Sequence, residues 1–283
     1  MSEKLVRALG GDRLPLHQKN ARVTDVMDLS GVVVAVTAGA GPILGRAIVD
    51  RMAGLGASVA VVDVDEAAAQ EVADKVASRW DVPATAIGAD ATDPASVSEA
   101  VAAITERLGP VDVWVNNLGL TLGDRFFWER SIEEIDRVVA LNYSATMYCA
   151  HAVLPQMLER NRGRIINIAS EGGKSWIRGL TVYNSAKSAV IGFTRNLAHE
   201  LKGTGVSTVA VCPGIMLTDA VLERMRDLPE DAAGTIPQAL SRLSANRGSL
   251  PEEVANMVAF LATEAGAYVE GTAVSVGGGM TDW

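Results

Sequence analysis

The sequence is poor in cysteine and in basic side chains. Its two cysteines, Cys149 and Cys212, fall in apolar segments, where a free thiol usually packs as a small hydrophobic residue. Lysine and arginine number 25 against 34 aspartates and glutamates, which gives a net charge of -9, and no basic run occurs. The composition therefore argues against a nucleic-acid partner or an anionic membrane surface, and it favours a reducing, cytoplasmic compartment.

Long apolar runs and metal-ligand patterns are also lacking. The uncharged apolar run at residues 31–45 is too short to span a bilayer and is interrupted by glycines and a proline. His17, His151 and His199 show no metal-ligand spacing. Residues 1–28 carry many charges and no apolar core, so we expect an N-terminal extension rather than a signal peptide. We therefore expect neither a membrane segment nor a metal.

What the sequence does contain is a regular alternation of short apolar runs with longer amphipathic segments. Residues 32–38 are almost continuously apolar, which is typical of a strand buried on both faces of a parallel sheet. The alternation predicts an α/β fold: one doubly wound Rossmann-type domain over residues 29–283, with helices on both faces of a mainly parallel sheet. The predicted strands are residues 32–38, 58–63, 85–90, 111–116, 164–170, 207–212 and 273–276, and the later helices are 66–79, 94–108, 131–160, 182–202 and 251–263.

A glycine-rich loop follows the first predicted strand and precedes a helix. Gly39, Gly41 and Gly45 would let the backbone approach a pyrophosphate, at which the helix directs its positive N-terminus. Asp63 ends the second strand, where a carboxylate would bind the adenosine ribose hydroxyls. A carboxylate repels a 2′-phosphate, and the neighbouring Val64 offers no cation, so the pattern predicts NAD rather than NADP. The alternative is that Asp63 is a solvated turn residue.

Polar residues also end later strands on the same edge of the sheet. Asp90 ends the third predicted strand and could face adenine, Asn116 and Asn117 end the fourth, and Ser170 ends the fifth. Open α/β sheets bind ligands at the carboxyl ends of their strands. A helix cap or turn remains the alternative for Ser170.

Tyr183 and Lys187 are four residues apart in a predicted helix and therefore share one face. An ammonium close to a phenol stabilises the phenolate, so the pair predicts a lowered Tyr183 pKa and proton exchange with an alcohol near neutral pH. A packed tyrosine beside a solvated lysine is the alternative, because such pairs are common on helices.

The motifs occur in an order that resembles the short-chain dehydrogenase/reductase family, and the resemblance runs from residue 29 to about residue 279. The corresponding features are the glycine loop at 39–45, Asn-Asn-Leu-Gly at 116–119, Asn142, Ser170, the pair Tyr183 and Lys187, and Pro-Gly at 213–214. The resemblance implies hydride transfer with NAD between an alcohol and a ketone, in a homo-oligomer that is a tetramer or a dimer.

The resemblance also implies residue roles. Tyr183 would be the general acid/base, Lys187 would lower its pKa and hold the nicotinamide ribose, and Ser170 would bind the substrate oxygen. Asn142 would position a water that links Lys187 to solvent. The implied cofactor residues are Gly39, Gly41, Ile43, Leu44, Gly45, Asp63, Val64, Asp90, Ala91, Asn117, Gly119, Tyr183, Lys187, Pro213, Ile215 and Thr218.

Three positions depart from the family pattern. Ile43 stands where the middle glycine of the loop is usual, and a β-branched residue does not readily adopt positive φ. We therefore expect Gly41 to supply the special backbone angles, or a looser hold on the pyrophosphate. Ala38 separates Thr37 from the first glycine, and Leu118 adds bulk beside the cofactor.

The segments expected to surround the substrate are mainly apolar. They are residues 120–128, the loop after Ser170, and 214–250, a long weakly patterned stretch typical of a functional lid. Glu171, Lys174 and Arg178 are exceptions, and we expect surface charges on a loop; the alternative for a basic residue here is a contact with an anionic tail such as a coenzyme A phosphate. The substrate could be a cyclic or aromatic alcohol or a 3-oxoacyl thioester, and a catalytically silent dinucleotide-binding sensor is the alternative function.

Overall fold

The computed structural model describes residues 18, 20–218, 240–241 and 243–281. The strands are β1 Val33–Thr37, β2 Ser58–Asp63, β3 Ala84–Gly88, β4 Val113–Asn116, β5 Gly163–Ile168, β6 Val206–Pro213 and β7 Ala273–Val276. They form one seven-stranded sheet in the order β3-β2-β1-β4-β5-β6-β7, in which every neighbouring pair is parallel. The sequence-based prediction of a doubly wound α/β fold is confirmed.

Helices cover both faces of the sheet because every central strand is apolar on both sides. The helices are α1 Val23–Val26, α2 Leu44–Gly54, α3 Glu66–Trp80, α4 Pro94–Leu108, α5 Ile132–Val139, α6 Ala145–Glu159, α7 Thr181–Glu200 and α8 Pro251–Ala262. On β1, Val34 and Val36 belong to the core formed with α2, α3 and α8, whereas Val33 and Ala35 belong to the core formed with α4, α6 and α7.

The chain reverses its direction of travel across the sheet between β1 and β4. β1 pairs with β2 on one side and with β4 on the other. The crossovers therefore diverge at the carboxyl ends of these two strands and leave a crevice there, which is where such sheets bind dinucleotides.

The predicted single helix over residues 131–160 is wrong in one detail. A π-helical turn, Ala140–Ser144, separates α5 from α6, and the N–H of Ala145 bonds to Ala140 O five residues back. Asn142 explains the interruption, because its side-chain amide donates to the carbonyl of Val138 one turn earlier, at 2.8 Å. π-Helical turns within α-helices are frequently found at functional sites.

Two predicted segments lie mainly outside the described residues. Of the extension, 1–28, the structure describes residues 18 and 20–28, and of the lid, 214–250, it describes 214–218, 240–241 and 243–250. The two ends of the lid pair with each other, since Leu217 N donates to Ser249 O at 2.8 Å and Ser249 N to Ile215 O at 2.9 Å. None of the described helices has the length and apolar character needed to cross a membrane.

Candidate active site

Helix α7 brings Tyr183 and Lys187 to the carboxyl edge of the sheet. Lys187 is 2% exposed, and its Nζ donates a 2.8 Å hydrogen bond to the carbonyl of Ile168, the last residue of β5. The same Nζ lies 5.8 Å from the centre of the Tyr183 ring. Lys187 is therefore a buried neighbour of the phenol, and the alternative of a solvated helix lysine does not apply.

Ser170 lies between β5 and α7 and faces Tyr183. Its backbone is extended, and its Oγ accepts a 3.0 Å hydrogen bond from the N–H of Gly172, which caps the short 3-10 turn Glu171–Gly173. The Ser170 side chain also lies close enough to Tyr183 to lower the pKa of the phenol. The hydroxyl group of Ser170 therefore both caps the 3-10 turn and contacts Tyr183.

Burial changes the proton affinities of both members of the pair. It raises the pKa of Tyr183, although the side chain of Ser170 opposes the rise. It lowers the pKa of Lys187 to about 8. The net shift of the Tyr183 pKa is therefore opposite to the predicted lowering, because burial penalises the phenolate, and the effect of Lys187 on the phenol stays a prediction.

Asn142 is fully buried in the π-helical turn and holds the segment that follows β4. Its Nδ2 donates to Leu120 O at 2.8 Å, and its Oδ1 accepts from Leu120 N at 3.1 Å. Gly119 has no room for a side chain: a Cβ there would lie 2.8 Å from Lys187 Nζ and 3.0 Å from Asn142 Oδ1. The side chains of Asn142 and Lys187 therefore both lie against the backbone of Gly119.

The glycine loop uses a different residue for its strained conformation than the sequence predicted. Ala38 has a φ of 48°, whereas Gly41 takes no left-handed φ, so the expectation for Gly41 is wrong. The extra residue after Thr37 makes the turn, and the Gly41 N–H closes it on Ala38 O at 3.1 Å. A Cβ on Gly45 would lie 2.1 Å from the same carbonyl oxygen. Gly45 is therefore required by the loop itself.

Ile43 and Leu44 stand where the loop becomes helix α2. Ile43 is the residue before the first helical turn, and Leu44 is its first residue and is buried. The first N–H groups of a helix have no acceptor within it, and they carry its positive dipole end. The start of α2 can therefore receive an anionic pyrophosphate.

Asp63 ends β2 and contacts the glycine loop. Its Oδ2 accepts from the N–H of Ala40 at 3.1 Å and its Oδ1 from the N–H of Asp65 at 3.2 Å. The carboxylate lines a cavity of about 370 Å³ that also includes the predicted cofactor residues Val64, Asp90 and Ala91. Asp90 lies two residues beyond β3, and its Oδ1 accepts hydrogen bonds from the N–H and the hydroxyl of Thr92.

Sequence reasoning missed Arg137, which lies on α5 and lines the same cavity as Asp63. Nothing in the local sequence indicates that α5 reaches the carboxyl end of β2, since the two are far apart in the chain. Leu118 also lines this cavity, so its extra bulk lies beside the predicted adenosine site.

The end of β1 is tied to the end of β4 through Asn117. Its N–H donates to Thr37 Oγ1 at 3.0 Å, and its Nδ2 donates to the carbonyls of Thr37 and Ala38, both at 3.2 Å. Thr37 Oγ1 in turn donates to Val115 O at 3.3 Å. Asn117 therefore stabilises the strained Ala38 turn.

The remaining predicted cofactor residues lie at the end of β6 and in the segment that follows it. Pro213 is the last residue of β6, and Ile215 lies in the segment that pairs with Ser249. Thr218 is the last residue that the structure describes in this segment. Within the described part of the chain, no group of three or more His, Cys, Asp or Glu side chains could hold a metal ion.

Comparisons with known proteins agree with this geometry. The model of the short chain dehydrogenase family matches residues 32–228. Nodulation protein G of Azospirillum brasilense is 38% identical over 191 residues, 68% of this chain and 74% of that protein. The 3-oxoacyl-(acyl-carrier-protein) reductase of Escherichia coli (strain K12) is 34% identical over 254 residues, 90% of this chain and 99% of that protein.

A solved structure of 7α-hydroxysteroid dehydrogenase complexed with NADH and 7-oxo glycochenodeoxycholic acid has the same fold. Its TM-score is 0.82 at 30% sequence identity, over 92% of this chain and 98% of that chain. The family match includes the glycine loop, Asp63, Ser170 and the pair Tyr183 and Lys187.

Proposed function

The chain belongs to the short-chain dehydrogenase family and is an oxidoreductase that acts on alcohol or keto groups, and we propose that it uses NAD(H) to interconvert a secondary alcohol and a ketone. The observation that carries the proposal is the contact of Tyr183 with Ser170 in front of the buried Lys187. A protein that only senses a dinucleotide has no need of a proton-exchanging hydroxyl pair, and no observation favours that alternative.

Tyr183 exchanges the proton of the substrate oxygen. In alcohol oxidation the phenolate accepts the hydroxyl proton while hydride leaves the carbinol carbon, and in ketone reduction the phenol returns the proton to the alkoxide. Ser170 donates to the same oxygen and orients it. NAD(H), when bound, supplies the hydride acceptor or donor.

Lys187 places a positive charge next to Tyr183 and, when the cofactor is present, donates a hydrogen bond to the ribose of the cofactor. Its bond to Ile168 O fixes the ammonium in a buried position. The side chains of Lys187 and Asn142 both lie against Gly119. A water held by Asn142 would connect Lys187 to solvent. Deprotonating Tyr183 against the effect of burial requires this nearby positive charge.

The residues around the Asp63 cavity fit an adenosine. A carboxylate at the end of β2 can accept from the ribose hydroxyls, and the exposed Val64 can contact the adenine. The negative charge favours NAD over NADP, although Arg137 supplies a cation in the same cavity. The start of α2 would hold the pyrophosphate, and the segment of Pro213 to position 218 would hold the nicotinamide carboxamide.

We further propose a mainly apolar substrate. Leu120, Phe127, Trp128 and Trp176 are all exposed on the segments that surround Ser170 and Tyr183. The relatives' names point to two substrate classes, 3-oxoacyl thioesters and cyclic alcohols such as steroids.

We also propose that the enzyme is a cytoplasmic homo-oligomer, a tetramer or a dimer, as the family resemblance implies.

A panel of secondary alcohols with NAD⁺, and of the matching ketones with NADH, tests the proposed reaction through the absorbance of NADH. The panel should include steroid, cyclic, aromatic and 3-oxoacyl compounds. We expect turnover with at least one apolar class and a preference for NAD(H) over NADP(H). Absence of cofactor-dependent turnover with all of them contradicts the proposed reaction.

A further inference from the structure

An aromatic stack lies in residues 120–128, one of the segments expected to surround the substrate. The rings of Phe126 and Trp128 are stacked, with centres 4.8 Å apart and planes 9° from parallel. The guanidinium carbon of Arg178 lies 4.8 Å from the centre of the Phe126 ring. Trp128 is 78% exposed, so one side of the stack faces solvent although burial would stabilise so large an apolar group.

Two sets of hydrogen bonds join the loop that carries Arg178 to the aromatic segment and to α7. The carbonyl of Gly179 accepts from Arg125 N at 3.1 Å, which joins the loop after Ser170 to the segment that carries the stack. Asn184, the neighbour of Tyr183, donates through Nδ2 to Ile177 O at 3.3 Å and through its N–H to Leu180 O at 2.8 Å. Arg178 therefore projects from a loop that is bonded to the first turn of α7.

The charge of Arg178, unlike that of the nearby Arg125, is not paired with a carboxylate in the described part of the chain. Arg125 forms an ion pair with Glu134 at 2.9 Å, and Glu129 accepts from Phe126 N at 3.0 Å. Within the described residues Arg178 forms no ion pair, and its aromatic contact leaves the N–H groups at the edge of the guanidinium available. A planar guanidinium with free donors is suited to a carboxylate, a sulfonate or a phosphate.

We propose that Arg178 and the stack of Phe126 and Trp128 form a specificity subsite for an anionic group at the end of the substrate distant from the reacting carbon. This inference rests on the proposed oxidoreductase function and narrows its substrate class to apolar alcohols and ketones with a terminal acid. The apolar body lies on the aromatic rings, and Arg178 receives the anion. Arg178 selects the substrate and takes no part in hydride or proton transfer.

The first test measures binding by calorimetry, in the presence of NAD⁺, with octanoate and with octanamide as the uncharged control. We expect wild type to prefer octanoate, and Arg178→Gln to lose about ten-fold in octanoate affinity with no change for octanamide. Arg79→Gln is a matched control, because Arg79 also lies over an aromatic ring, that of Trp80 at 4.7 Å, but on α3. Equal binding of the two probes by wild type, or an equal loss in both variants, overturns the inference.

The second test separates this inference from the proposed reaction. Ketones that end in a carboxylate are compared with their methyl esters by kcat/KM, in wild type and Arg178→Gln. We expect the preference for the acid to fall about ten-fold in the variant, mainly through KM. Turnover without any loss of this preference overturns the subsite and leaves the proposed reaction intact, whereas selective octanoate binding without turnover of any ketone contradicts the reaction alone.

Discussion

The ammonium of Lys187 donates a 2.8 Å hydrogen bond to the carbonyl oxygen of Ile168, at the end of the strand that leads to Ser170. This bond connects α7 to β5 where the two present their hydroxyl groups to each other. It also holds a lysine in the protein interior, where its pKa falls to about 8. The position of Lys187 therefore costs stability at neutral pH, as expected for a functional residue.

We expect Lys187→Met to lose turnover while raising the free energy of unfolding at pH 7 by about 2 kcal/mol. A pKa that falls from 10.5 to about 8 corresponds to roughly 3 kcal/mol, and loss of the bond to Ile168 offsets about 1 kcal/mol. The penalty is complete below pH 8 and disappears as the pH rises toward 10.5, because the lysine then becomes neutral in the unfolded chain as well.

Urea unfolding at pH 7 and pH 10 measures this difference. The exposed Lys202, just beyond α7, provides the control Lys202→Met, for which we expect a change of less than about 0.5 kcal/mol at either pH. A Lys187→Met protein less stable than wild type at pH 7 contradicts the interpretation.

Asp63 provides a prediction about cofactor choice. We expect Asp63→Asn to raise kcat/KM with NADPH about ten-fold relative to NADH, because the amide removes the charge that repels the 2′-phosphate and can still accept from Ala40 N. Steady-state kinetics with both cofactors measures the change. Asp65→Asn is the control, since Asp65 caps α3, a role that asparagine also fills. A wild type that prefers NADPH contradicts the role of Asp63.

Gly119 provides a prediction about site geometry. A Cβ at this position would lie 2.8 Å from Lys187 Nζ, so we expect Gly119→Ala to displace the ammonium and to lower kcat at least about ten-fold while the chain still folds. Gly192→Ala is the matched control, because Gly192 is on α7 and a Cβ there meets no atom within 4 Å. Turnover by Gly119→Ala equal to that of the control contradicts the packing described for Lys187.

The sequence predicted the sheet and the order of its elements because the apolar runs of the central strands have few other possible structures. Apolar residues such as Val34 and Ala35 on opposite faces of β1 require helices on both sides, and short connections then determine the direction of each crossover. The same reasoning placed Asp63 and Ser170 at the carboxyl edge.

Properties that depend on contacts between distant parts of the chain could not be predicted in this way. The strained φ at Ala38 is stabilised by a hydrogen bond from the distant Asn117, and Arg137 reaches the Asp63 cavity only through the packing of α5. The direction of the Tyr183 pKa shift depends on burial, which the spacing of Tyr183 and Lys187 does not reveal.

Tyr183→Phe tests most directly whether Tyr183 exchanges the substrate proton, because only the hydroxyl oxygen is lost. NADH binding, followed by fluorescence, and turnover of the best substrate of the panel are measured on the same preparation. We expect the affinity for NADH to change less than about three-fold and turnover to fall by about 10³-fold. Turnover equal to that of wild type, with NADH binding preserved, contradicts the mechanism.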